Sequence, residues 1–424
     1  MQHLTFDDTV EYTTGKRPFI ELFDWSLFLT AAMLVALGLI SIYSATSTFD
    51  GKMSPYFIKQ LQYTVFGFVL MISLAFMPER WISLSSYGIY GITILLLVAV
   101  IVVGKTVYGS KSWLYLGSIG FQPSELAKIG TLLALAEFIS RKGVDLRTVR
   151  DLVTSFAIVA LPIALIMLEP DFGSASVFIA LLLGVMLWAG VDLFLMFIIV
   201  AAPLTVIFAF INKTWFYVTA GIFSLWAITF RRGIIITTVA VGIFIGIGFS
   251  ASYVYDVLKP HQKDRIQSFL NPESDPLGRG YNVIQSVMAV GSGGFSGKGF
   301  MHGTQTQLRY IPKQWTDFIF CVPTEEFGFI GGVMVIGLLG MVIFRAINIA
   351  TLARNKFSAV TSIGVATLML FHSLVNIGMA IGVFPVMGIP LPFLSAGGSS
   401  LVVNFTCIGL LLNAYRVRQS KVIR

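Results

Sequence analysis

The chain has 424 residues, of which 56% are hydrophobic and only 12% charged, whereas ordinary soluble chains carry roughly 25% charged residues. A soluble fold would leave much of that apolar surface, 36 phenylalanines included, facing water, so the composition excludes a soluble domain and points to an integral membrane protein. The net charge of +8 invites a nucleic-acid surface, but the placement of the basic residues argues against one.

Residues 1–24 are polar, with Asp7, Asp8, Glu11, Lys16 and Arg17, and lack the apolar core and small-residue site of a cleaved signal peptide. Twelve apolar runs follow, near 25–46, 57–77, 83–103, 122–140, 152–168, 172–190, 192–211, 214–230, 233–254, 326–345, 357–382 and 399–415. Each approaches or exceeds the ~17–25 residues that cross a bilayer. The expected fold is an all-α polytopic bundle: a segment 1–24, a first set of helices over 25–254, a large loop over 255–325, further helices over 326–415 and a tail over 416–424.

Charge sets the expected orientation. With the N-terminus inside, the inner segments carry 16 of the 29 basic residues, against 5 in the short outer loops, as the positive-inside rule requires. Both termini are then cytoplasmic and the 255–325 loop extracytoplasmic. The basic balance reflects orientation and contact with anionic lipid heads.

Several polar residues interrupt this apolar background. "FQPSELAKIG" sets Glu125 and Lys128 three residues apart at the start of a span. An N-terminal charge with a snorkelling lysine is one reading; an ionisable pair facing a polar cavity is the other. "LEPDFGSAS" puts Glu169 and Asp171 in a tight turn, either as a helix cap or as part of a site. The 255–325 loop holds "NPESDPLGRGYNVIQSVMAVGSGGFSGKGF", in which Val283, Ile284, Val287 and Met288 predict a short amphipathic helix over 281–290. "KQWTDFIFCVPTEEFGFIGG" supplies Asp317, Glu325 and Glu326 before the tenth span. "GIPLPFLSAGGSS" breaks the chain at Pro390 and Pro392 and opens the last span with Ser399 and Ser400. That is either an anion-holding helix N-terminus or a re-entrant loop without a ligand. "GSGGFSGKG" is not a nucleotide loop, because Lys298 would need Gly at 292 and Ser or Thr at 299, and the chain has Ser292 and Gly299. No HExxH or CxxC pattern occurs, and Cys321 and Cys407 read as inert buried thiols.

In this order the segments "GLISIYSAT" (38–46), "SWLYLGSIGFQPSELAKI" (112–129), "EPDFG" (169–173), "FLNPESDPLGRGYNVIQS" (269–286), "TDFIF", "EEFGFIGG" and "GIPLPFLSAGGSS" resemble the shape, elongation, division and sporulation (SEDS) family of membrane peptidoglycan glycosyltransferases. The stretch 302–320 looks closer to the elongation branch than to the division branch. The resemblance implies polymerisation of lipid II in the bacterial cytoplasmic membrane, with Asp275 of the Asp-Pro-Leu-Gly motif as the general base. It places Glu125, Lys128 and Asp171 among the family's site residues, and the expected substrate-binding set adds Lys111, Trp113, Gln285, Lys298, Asp317, Glu326, Ser399 and Ser400 to them. A divalent cation, Mg or Mn, is compatible with a diphosphate leaving group. The implied partners are a class B penicillin-binding protein (a transpeptidase) and other elongation-complex membrane proteins, with no nucleic acid. A lipid flippase and a non-catalytic scaffold are the competing readings. Four features depart from the family pattern, one being "SAGG" (395–398) where Ser-Tyr-Gly-Gly is more usual. Lys111 and Ser112 stand where two arginines are usual, and Asn271 stands where Asp is common. An extra hairpin over 213–254 raises ten spans to twelve.

Overall fold

The computed structural model describes residues 12–13, 22–47, 53–107, 110–117, 119–211, 213–257, 279–312, 314–419 and 421–422. Asp275 lies outside the described residues, as do Asn271 and Glu273. The chain divides into two compact units, 1–188 with 282–424, and 189–281.

The larger unit begins with α1 (Trp25–Thr46), whose first turn is capped by the Asp24 carboxylate accepting from the Leu27 N–H at 3.1 Å. Helix α2 (Pro55–Phe76) starts with Ser54 as cap and Pro55 in the first turn, where its missing N–H costs nothing. Helix α3 (Glu79–Val103) leads into an antiparallel meander of β1 (Lys105–Val107), β2 (Ser110–Leu116) and β3 (Ile119–Phe121). Its register pairs Lys105 with Trp113 and Leu114 with Phe121. These strands were not expected from the apolar periodicity. They form from a run of Thr, Val, Trp, Tyr, Ile and Phe, types that favour strands, with Gly117 at φ 62° turning the second hairpin. Helices α4 (Pro123–Ser140), α5 (Val149–Leu168) and α6 (Phe172–Trp188) follow.

The 189–281 unit contains α7 (Leu193–Ile211), α8 (Lys213–Thr229) and α9 (Ile234–Val257). Phe194, Ala201, Ala220, Ala227, Ala240 and Phe244 form its core, with the Phe197 ring 5.9 Å from that of Phe244. Arg232 pairs with Asp192 beside the turn, where Arg231 takes φ 51°. The two helices of the expected extra hairpin, α8 and α9, therefore pack with α7 as a three-helix unit.

The chain returns to the larger unit through the short helices α10 (Arg279–Ser292), α11 (Thr304–Gln307) and α12 (Cys321–Glu326). It closes with α13 (Gly328–Thr351), α14 (Lys356–Ala380) and α15 (Gly398–Gln419). In α10, Ser286 and Ala289 are buried while Val287 and Met288 stay exposed. Among the described residues, seven helices are long and apolar enough to cross a membrane, and three shorter apolar stretches lie in α6, α7 and α9. With α4 and α8, twelve helices stand where twelve spans were expected. The protein is a multi-pass membrane protein. The described ends of the chain pair as a two-residue ladder, Tyr12 opposite Val422. Cys321 and Cys407 are free and buried.

Helix α4 is the most enclosed of the long helices, buried along 14 of its 18 residues between α3, α5, α14 and α15. Around it, helices approach closely at glycines. Gly364 of α14 receives Leu132, Gly184 of α6 receives Thr367, and Gly67 of α2 receives the Phe405 ring of α15. Between α14 and α15 the chain from 381 to 397 is not helical, yet Ile389 and Leu391–Ser395 are buried. Non-helical backbone survives at such depth only where protein satisfies its polar groups. Here Asn376 Nδ2 donates to Ile389 O (2.8 Å), Gln60 Nε2 to Ser395 O (3.3 Å) and the Gly397 N–H to Gln60 Oε1 (3.1 Å). Ser395 Oγ donates to Thr316 O (2.7 Å) and accepts the Leu391 N–H (2.8 Å).

Gly38 of α1 lies against this segment. A methyl group there would collide with the Phe393 carbonyl and sit 2.9 Å from Leu394 Cα. Gly38→Ala should destabilise the protein by about 1–3 kcal/mol through overpacking. Gly88→Ala, where an added Cβ meets nothing within 4 Å, should be neutral or gain about 0.5–1 kcal/mol. Thermal unfolding in detergent micelles checks the pair; equal melting temperatures would contradict the packing.

Candidate active site

The site grows from the start of α4. Strand β3 delivers Gln122 as the residue before the helix, and Pro123 fits its first turn. Glu125 and Lys128 then share a face at i, i+3. Their side chains form an ion pair at 2.8 Å with exposures of 5% and 2%. At that burial the pair is out of water, and snorkelling does not describe Lys128. Lys128 Nζ also lies 3.1 Å from His372 Nε2 of α14, and His372 Nδ1 lies 3.1 Å from the Pro390 carbonyl. The Glu125 contact lacks hydrogen-bond direction at Oε2, so it is chiefly coulombic. A small pocket beside the ammonium is lined by His372, Pro392, Asn404 and Cys407.

Gln122 ties this pair to two other elements. Its N–H donates to Ser399 Oγ at 3.2 Å, and its Nε2 donates to Asp171 Oδ2 at 3.3 Å. Asp171 also caps α6, accepting from the Ser174 N–H at 3.0 Å and from Ser174 Oγ at 2.8 Å. Ser124 and Ser174 hydroxyls approach to 3.5 Å. Ser400 is buried in the first turn of α15. Glu125, Lys128, Asp171, Ser399 and Ser400 therefore gather at one end of the bundle. Beside Asp171, burial and then the Asp171 charge push the Glu169 carboxyl up to about 8.

A second polar group forms around α12. The fully buried Glu325 accepts from Lys298 Nζ (2.7 Å), the Gln305 N–H (2.8 Å), the Thr306 N–H (2.9 Å) and Thr306 Oγ1 (2.7 Å). Burial raises its pKa, but these donors outweigh burial and leave it below the usual carboxylate value. Lys298 adds bonds to Ser292 and Thr304, both 2.7 Å. Glu326 is fully buried and accepts from Ser44 Oγ and from Gln307 Nε2. Burial holds its pKa up against those bonds.

The remaining sequence candidates are dispersed. Lys111 donates to the carbonyls of Ile101 and Val102, both 2.9 Å, at the C-terminus of α3, where a cation meets unsatisfied carbonyls and the negative end of the helix dipole. Trp113 is half-buried in β2, Gln285 half-buried in α10, and Asp317 half-buried with its carbonyl accepting from Asn376 at 2.9 Å. Among the described residues no three or more His, Cys, Asp or Glu side chains gather to hold a metal ion. The sequence reading missed Gln122, Ser174 and His372. The available signal for His372 was a polar side chain one turn before Asn376 within an apolar span.

A carboxyl whose folded pKa is raised stabilises the fold fully below its unfolded value, near 4.5, and loses that stabilisation as pH rises towards about 8. The parent should therefore lose thermal stability between pH 5 and 8 relative to Glu169→Gln, which lacks the titrating group. Parallel melting curves for the two across that range would show that Glu169 titrates normally.

Comparison with known proteins gives a consistent picture. The model of the FTSW_RODA_SPOVE family, described as cell cycle proteins, matches residues 24–227 and 213–420. The chain is 35% identical to the peptidoglycan glycosyltransferase RodA of Treponema pallidum, over 92% of this chain and 97% of that protein. It is 33% identical to the peptidoglycan glycosyltransferase MrdB of Escherichia coli K12, over 93% of each chain. A solved chain from a peptidoglycan synthase complex that coordinates polymerization and crosslinking aligns with TM-score 0.68 at 31% identity, over 94% of this chain and 99% of that one. The rod shape determining protein RodA of Thermus thermophilus aligns with TM-score 0.62 at 27% identity, over 94% and 98%. With the buried charged pair on the fourth helix and both halves of the chain matched, the protein belongs to the FTSW_RODA_SPOVE family, the SEDS proteins.

Proposed function

We propose that this chain is a peptidoglycan glycosyltransferase that joins lipid II units into glycan strands for cell elongation. The 4-hydroxyl of one sugar attacks the anomeric carbon of another, the glycosidic bond to the diphosphate breaks, and undecaprenyl diphosphate leaves with its electron pair. A single displacement inverts the anomeric centre. The observation that carries the proposal is the Glu125–Lys128 pair, buried in a bundle whose similar proteins are named peptidoglycan glycosyltransferases. An ammonium held out of water stabilises developing negative charge far better than one in solvent. Lys128 is the group proposed to meet the diphosphate, with Asp171, Ser399 and Ser400 shaping the same end. Asp275 is the proposed general base that takes the hydroxyl proton. Lys111 and Lys298 support the reaction indirectly, by finishing α3 and by holding the 292–306 segment against Glu325.

The proposed orientation places both termini in the cytoplasm and the 255–325 loop outside. The basic residues of the short loops and the pairing of residues 12–13 with 421–422 support it. The proposed partner is a class B penicillin-binding protein, in line with the synthase complex that coordinates polymerization and crosslinking.

Purified protein given lipid II should produce glycan strands on a gel. Asp275→Asn should lower the rate on the order of 10²–10⁴-fold with normal membrane insertion, while Glu273→Gln should cost little. Strand synthesis by Asp275→Asn within about threefold of the parent, under about 0.7 kcal/mol of barrier, would remove Asp275 from the mechanism. For topology, Arg231→Cys in intact cells should resist an impermeant thiol reagent added outside; rapid labelling would invert the orientation.

A further inference from the structure

We infer that His372 is a positioning residue that fixes the Lys128 ammonium for the proposed polymerase reaction. The inference rests on that reading of Lys128 and on the geometry of the two ring nitrogens. The Pro390 carbonyl, 3.1 Å from Nδ1, can only accept, so Nδ1 carries the ring proton. Nε2 is then a lone-pair acceptor, and it faces Lys128 Nζ at 3.1 Å. The ammonium has three N–H groups. His372 takes one of them, and Glu125 holds the charge coulombically at 2.8 Å; N–H groups are left for a ligand on the pocket side.

The chain of contacts Glu125–Lys128–His372–Pro390 crosses three elements: α4, α14 and the buried non-helical segment before α15. It sets the height of the ammonium relative to Ser399 and Ser400, because Pro390 belongs to the same segment that leads into their helix. Without an acceptor at Nε2, Lys128 has four flexible bonds and one partner, and it would swing onto Glu125. The inferred role of the imidazole is to hold Lys128 away from that collapsed pair.

Three substitutions separate this role from packing. Gln at 372 can offer an oxygen acceptor near the Nε2 position. Asn keeps a polar group near Nδ1 but withdraws the acceptor. Phe keeps the ring volume and removes both. For lipid II polymerisation by purified protein, His372→Gln should stay within about threefold of the parent. His372→Asn and His372→Phe should lose about tenfold in kcat with little change in KM, the size of one charge-assisted hydrogen bond. In the Lys128→Met background the Phe substitution should add less than about twofold, since coupled residues are non-additive. Full additivity, or Asn and Phe variants as active as the parent, would overturn the inference.

A second readout needs only folded protein: labelling of Lys128 by a small membrane-permeant amine reagent, read by mass spectrometry. The Asn variant should label several-fold slower than the parent, because an ammonium collapsed onto Glu125 stays protonated and shielded, and the Gln variant should label near the parent rate. Equal rates in all three would overturn the inference. If the parent makes no glycan, the proposed function fails while the labelling result still decides the positioning of Lys128.

Discussion

A lysine and a glutamate that have left water together constrain the rest of this molecule. Moving either charge alone into a low-dielectric interior costs several kcal/mol, and breaking such a pair from one side costs about 3–5 kcal/mol. Glu125 and Lys128 meet at 2.8 Å on a helix that is buried on nearly all sides. The surrounding elements therefore have to supply polar partners at defined places. Asp171, Ser174, Ser399 and His372 do so from α6, α15 and α14, with Gln122 as the bridge. A bundle built for stability alone would place leucine at these positions. The cost is explained if the pair faces an anionic substrate at the membrane surface.

The second constraint is the backbone of residues 381–397. A chain that stops being helical within the bundle exposes carbonyls and amides that lipid cannot satisfy. Several polar groups of this segment are answered by side chains, Asn376 from α14, Gln60 from α2 and Ser395 from the segment itself, and others by backbone carbonyls, as where the Ala396 N–H donates to Trp315 O at 2.8 Å. The close approach of Gly38 completes the enclosure. Rigidity follows from this dense bonding, and it transmits to the start of α15, where Ser399 and Ser400 stand. The Lys298–Glu325 cluster performs a comparable task for the 292–306 segment, using a buried carboxylate with five donors, Thr304 Oγ1 among them.

The helices were legible because apolar runs in this chain end at Pro, Gly or charge. Trp25–Thr46 coincides with the expected 25–46. The expected end at 345 falls short of Thr351 because Arg345 pairs with Asp24, so its charge does not interrupt α13. The β meander was not legible: strands of three to seven residues beside apolar spans leave no clear periodicity. Within the site, spacing alone disclosed Glu125 with Lys128, since i, i+3 fixes a shared face. It could not disclose that Lys111 turns to the end of α3 or Lys298 to Glu325, because a cation near a membrane surface has several possible anions and carbonyls. His372 was hidden for a related reason, as its partners lie 244 and 18 residues away.

The most direct measurement is glycan-strand synthesis by the doubly neutralised variant Glu125→Gln/Lys128→Met, alongside its thermal stability. Removing both charges leaves no unpaired ion, so the fold should melt near the parent temperature, and the loss of the ammonium should slow polymerisation of lipid II on the order of 10²–10³-fold. A double variant that is stable and still makes glycan strands at the parent rate would show that the buried pair is only structural.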